Sequence, residues 1–167
     1  MSFILPPDAL DRDLVFEFFW KFSVFECALK REGFLRKRKP AEAEEPAEAN
    51  WTLFGEDITE RFEEVETIGF AAAAAKLREL SPRKQINRNR VLGWKKPVQG
   101  QNESNAVYTL RPLTTVRNNL FHGGKYPDGD ILEVSRDKEV LRAALAVLDG
   151  CYELHAGVRN RINEIAA

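Results

Sequence analysis

Between Leu10 and Leu29 apolar side chains return at spacings of four and three: Leu10, Leu14, Phe18, Phe22, Phe25 and Leu29. That is the period of an α-helix, and it gathers large side chains into one stripe that must be buried. Val15 and Phe19 broaden the stripe, while Phe16, Trp20 and Val24 line a second side. A helix apolar over so much of its circumference lies either at the centre of a bundle or at a subunit interface. Asp8, after Pro6 and Pro7, is placed to cap it, and the pattern runs to about Glu32.

Further helical patterns follow. Trp51 to Glu66 predicts a second helix with an acidic outer face, and Glu66 to Leu80 a third, through the alanine run 71–75, ended by Ser81-Pro82. Asn102 or Ser104 starts a fourth that buries Val107, Leu110, Leu113, Val116 and Leu120, with Pro112 as a kink or a restart. Gly123-Gly124 stop it. A last long helix begins at Ser135 or Asp137 and carries Leu141, Leu145, Leu148, Tyr152, His155 and Ile162 at near-heptad spacing. Two stretches lack helical periodicity. Residues 33–50 hold the basic tetrad 36–39 and an Ala/Glu/Pro run, and read as a mobile, solvated loop. Residues 83–101, with Gly93, Pro97 and Gly100, read as an extended loop. No segment reads as a strand. A chain of 167 residues, 44% hydrophobic and 31% charged, fits one soluble domain. The expected fold class is therefore all-α, a single-domain up-and-down bundle of four to five helices.

With a net charge of −1 the chain has no global basic field, but its charges are segregated. Arg83, Lys84, Arg88, Arg90, Lys95 and Lys96 occupy one stretch without an acidic residue, whereas residues 42–66 hold ten acidic residues against Arg61 alone. Such segregation gives a polar ligand one attractive face and one repulsive face; both stretches are equally compatible with plain solvated surface. Cys27 and Cys151 sit in apolar helical contexts and read as buried thiols in a reducing compartment. Residues 1–7 have no basic n-region and too short an apolar run for a signal peptide, and no run approaches a membrane span of about 18 residues. A cytoplasmic location is expected.

The chemistry concentrates in Arg117-Asn118-Asn119-Leu120-Phe121-His122. His122, at a helix C-terminus, can exchange protons near neutrality, and Arg117 offers a planar cation suited to phosphate oxygens. Asn118 lies about 40° from His122 on a helix, so its amide can orient the imidazole or a substrate. A proton-transfer group beside a phosphate-binding cation suffices for RNA cleavage through 2′-hydroxyl attack, leaving a 2′,3′-cyclic phosphate and using no cofactor or metal. On one straight helix, however, Arg117 and His122 stand about 140° apart. They converge if the helix unwinds near Phe121, if Arg117 reaches around, or if a second subunit completes the site. The bland counterpart is a cluster of helix-end cations that satisfies terminal carbonyls. Glu26, on the very apolar first helix, needs a partner, and Arg117 is a candidate. His155 reads as a hydrogen-bonded core histidine. Gly123-Gly124-Lys125 is no phosphate loop, because Asn119 and Tyr126 stand where a Walker motif needs Gly and Ser/Thr. Asp128 and Asp130 read as turn residues rather than metal ligands with His122.

The run from Val116 to Lys125 resembles the R-x4-6-H motif of HEPN domains, the Apea-like branch in particular. Trp20 to Lys30 is similar to the first helix of that branch. The resemblance implies a helical bundle that dimerises with its two motifs facing each other, and RNA cleavage in toxin–antitoxin or phage-defence settings, with an antitoxin protein as a possible partner. It makes Arg117 and His122 the catalytic pair, Asn118 the polar neighbour and Glu26 a supporting acid. Arg83, Lys84, Arg88, Arg90, Lys95, Lys96 and Lys125 are the cations available to RNA. Some HEPN domains do not cleave RNA, so a non-catalytic nucleotide-, RNA- or protein-binding module is the alternative.

Overall fold

A computed structural model of the chain describes residues 11–37, 46–65, 68–121 and 131–167. Helix α1 (Arg12–Arg31) starts where the Asp11 carboxylate accepts from the Leu14 N–H at 3.1 Å, so Asp11 is its cap. Asp8 and Leu10 lie outside the described residues. The stripe is buried: Phe18, Phe22, Phe25 and Leu29 are all at most 3% exposed. Each fully buried side chain of this size contributes about 1.5–3 kcal/mol. The second apolar side stays outside the core, with Phe16 68% and Trp20 58% exposed.

The predicted second helix is divided into α2 (Trp51–Asp57) and α3 (Thr59–Glu64) at the buried Ile58. The Thr59 hydroxyl donates to the Gly55 carbonyl at 2.7 Å, a local bond of the kind that bends helices. Helix α4 (Ile68–Glu79) follows, and Arg136 caps its end by donating to the Leu80 carbonyl at 2.7 Å. Helix α5 (Asn105–Phe121) starts at Ser104, whose hydroxyl accepts from the Val107 N–H at 3.3 Å. It runs through Pro112 without a break.

The predicted last helix is two. Helix α6 begins earlier than expected, spanning Ile131–Leu154, and α7 spans Ala156–Ala166. At the junction His155 is extended, and its Nδ1 accepts from the Val158 N–H at 3.0 Å. The neutral ring therefore carries its proton on Nε2, 3.5 Å from Asp57. It is hydrogen-bonded and partly buried against Phe34, but its work is to cap a helix.

The result is a mostly helical, all-α bundle, with seven helices among the described residues because two predicted helices are each broken. Helix α6 packs along α4 and α1, α7 folds back on α1, and α5 lies across α2, α3 and α4. Close approach of α4 and α6 depends on Gly150, where a Cβ would sit 1.9 Å from the Phe70 ring. No described helix is long and apolar enough to cross a membrane.

Residues 83–101 depart most from expectation. Strands β1 (Lys84–Arg88) and β2 (Val91–Lys95) form an antiparallel hairpin with Lys84 opposite Lys95 and Ile86 opposite Gly93. Asn89 and Arg90 both have positive φ, 51° and 68°, which matches the right-handed twist of a two-residue hairpin turn. The ends of the 33–50 segment also meet: Leu35 bridges to Ala49, and the Arg36 N–H donates to the Glu48 carbonyl at 3.0 Å.

Candidate functional site

Trp51, the first residue of α2, is stacked on Phe22 and Phe25 at 5.2 and 5.5 Å. This aromatic stack fixes the indole, whose Nε1–H donates to Glu26 Oε1 at 3.3 Å. The other carboxylate oxygen of Glu26 accepts from Arg117 Nη2 at 3.4 Å. Arg117 Nη1 donates to Asn118 Oδ1 at 2.8 Å, and the guanidinium lies 5.7 Å from the Phe22 ring centroid. The α1 and α5 side chains are thus ordered in a relay from core to surface, and Arg117 at its end keeps 36% of its side chain exposed. A guanidinium with only part of its fork engaged can still donate to an incoming anion.

This cluster forms one wall of a cavity of about 510 Å³. Lys30, Arg36 and Lys84 contribute further cations to it, and Glu48 one more carboxylate, 3.6 Å from Arg36. A second cavity, lined by Lys95, Lys96 and Arg111, adjoins it along Lys84 and Asn118. Lys84 and Lys95 face each other across the hairpin, an arrangement that costs stability until an anion lies between them.

Both feet of the hairpin are fastened to α5. At one, the buried Asn119 donates from Nδ2 to the Arg83 carbonyl at 2.9 Å. Beyond the other, Arg111 Nη2 donates to the Val98 carbonyl at 2.8 Å and pairs with Glu103 at 3.2 Å. The helix that carries Arg117 and Asn118 therefore also sets where the basic hairpin stands.

Of the residues singled out from sequence, Arg117, Asn118, Glu26 and Lys84 come together. Lys95 and Lys96 line the adjoining cavity, while Arg83 contributes its carbonyl to the hairpin foot. Arg88 and Arg90 sit at the hairpin tip and line neither cavity. His122 and Lys125 lie outside the described residues, as do Asp128 and Asp130. Trp51, Lys30, Arg111 and Asn119 belong to the site without having been expected there. The acidic Glu26 on an apolar stripe signals a buried partner, but nothing in a linear sequence names Trp51 as one.

Among the described residues no three His, Cys, Asp or Glu side chains converge as a metal ion would need. No family model matches the chain, and no curated protein or solved structure matches it at a significant level.

Proposed function

We propose that the chain is a metal-independent endoribonuclease of HEPN type, with Arg117 and His122 as its catalytic pair. The observation that carries this reading is the Glu26–Arg117–Asn118 cluster on the wall of a cavity ringed by Lys30, Arg36 and Lys84. An oriented but partly exposed guanidinium, with further cations around the same cavity, is what a phosphodiester needs for charge stabilisation. In the proposed reaction the 2′-oxygen forms a bond to phosphorus as the bond to the 5′-oxygen breaks. His122 takes the 2′-hydroxyl proton, water gives a proton to the departing 5′-oxygen, and Arg117 neutralises the phosphoryl oxygens. Glu26 holds Arg117 in place and does not touch the substrate. The resemblance of the motif adds a homodimer with facing motifs, and a toxin–antitoxin or phage-defence setting with an antitoxin partner.

The test is incubation of the purified chain with labelled RNAs in EDTA, followed by end-group analysis. Cyclic phosphate ends are expected, and they should disappear in Arg117→Ala and His122→Ala with the fold retained. Unchanged cleavage in both variants would sink the proposal. One observation favours the non-catalytic alternative: the Arg117–Glu26 pair also satisfies a partly buried carboxylate with no reaction involved. RNA binding without strand scission would be its signature.

A further inference from the structure

The second cavity differs in chemistry from the one at Arg117. It measures about 630 Å³, and Ile86, Pro97, Val98 and Pro112 give it apolar walls. Lys95, Lys96 and Arg111 stand around these walls, Thr114 and Thr115 supply hydroxyls, and none of its lining residues is acidic. Its size lies in the range of about 300–1,000 Å³ typical of small-molecule sites, and apolar walls with a few polar groups are their usual composition.

The cavity is also built rather than incidental. Arg111 holds the Val98 carbonyl, and Glu103 Oε2 holds both Arg111 and the Gly100 N–H, the latter at 2.9 Å. On the opposite side the Lys84–Lys95 pair and Ile86 share one face of the hairpin, because Ile86 lies two residues from Lys84. Beside that pair Gly93 opposes Ile86, and the three nearest atoms to where its Cβ would be, at 3.5–3.8 Å, belong to Ile86 and Arg88.

We propose that this second cavity is a nucleoside subsite, taking one unstacked base and its ribose from a strand whose neighbouring phosphate lies at Arg117. The identity of the strand as RNA rests on the ribonuclease reading; the inference adds that the substrate is single-stranded. A base face gains from burial against Ile86, Pro97 and Val98, while Lys95 and Lys96 neutralise the flanking phosphates. Asn118 and Lys84 border both cavities, so consecutive groups of one strand meet consecutive parts of the trough. In a duplex each base is paired and stacked, and cannot enter such a cavity without being flipped out.

The experiment measures binding by the full chain of a 2′-O-methyl RNA strand, which cannot be cut, and of the same sequence as a duplex. Thr115→Phe fills the cavity and Ile86→Gln makes its wall polar; neither changes charge. The single strand should bind at least about tenfold more tightly than the duplex, and each variant should lose about tenfold of that, the scale of a lost pocket contact. Circular dichroism checks the fold, and if Thr115→Phe misfolds, Ile86→Gln on the exposed hairpin decides alone. Equal affinity for strand and duplex, or undiminished binding in a folded variant, overturns the subsite whether or not the wild-type chain cuts RNA. The expected binding pattern with no scission of unmodified RNA keeps the subsite and removes the ribonuclease. Absence of binding to either oligonucleotide overturns the subsite, and the ribonuclease with it only if unmodified RNA is also left uncut.

Discussion

Asn118 and Asn119 are neighbours in the chain with different tasks, because one residue along a helix turns a side chain by about 100°. Asn118 faces the cavity and accepts from Arg117, whereas Asn119 is 6% exposed and holds the Arg83 carbonyl. Asn119→Ala leaves that carbonyl without its partner and should cost about 1–3 kcal/mol in urea unfolding. It should also weaken the proposed RNA binding, since the hairpin loses one anchor, while Asn119→Asp fails to rescue because a carboxylate cannot donate. The two cysteines separate in a similar way. Burial pushes the Cys151 thiol well above its ordinary range, whereas Cys27 is partly exposed. A thiol reagent at pH 8 should therefore modify one cysteine per folded chain and both in denaturant, with mass mapping assigning the fast site to Cys27. Reaction of Cys151 in the folded chain would contradict its burial.

The hairpin turn breaks a local rule. Arg90 holds a φ of 68°, where glycine is free of steric cost and arginine is not. Arg90→Gly should stabilise the hairpin by up to about 1 kcal/mol, read as slower hydrogen exchange of the β1 and β2 amides, while removing a tip cation. An arginine at a turn position that favours glycine also hides the hairpin from its sequence. A two-residue Asn-Gly tip would have announced it; Asn89-Arg90 did not, although Ile86, Val91 and Trp94 around the tip are good strand formers. Helices were more legible. The stripe from Phe18 to Leu29 is legible directly, because period is a local signal, whereas the caps are less so: the α5 start stays open between Asn102 and Ser104, and α1 is capped by Asp11. The break at His155 is not legible. Apolar spacing continues across it through Leu148, Tyr152 and Ile162, and imidazole is not among the usual capping side chains. Of the site, Arg117, Asn118 and Glu26 were readable as polar residues against an apolar pattern, but their meeting with Lys30, Arg36 and Trp51 depends on three chain segments converging.

Across the whole molecule, a net charge of −1 means that the proposed RNA affinity must come from the trough and not from a global field. Binding should fall steeply with salt, and replacing Lys84, Lys95 and Lys96 together with alanine should flatten the slope of log affinity against log salt by about 0.7 per cation, the value for single strands. A slope unchanged by that triple replacement would place the RNA elsewhere. One property of the hairpin anchorage reaches beyond binding. Arg111 and Asn119 stand eight positions apart on α5, about 12 Å along its axis at 1.5 Å per residue. Peptide geometry, like a carpenter's jig, dictates the distance between the two fastenings, and side-chain packing elsewhere has no say in it. Apart from Arg36, every residue lining the second cavity comes from the unbroken stretch 83–119. That half of the trough is consequently portable: grafted as a single segment onto another helical scaffold, it would arrive already dimensioned.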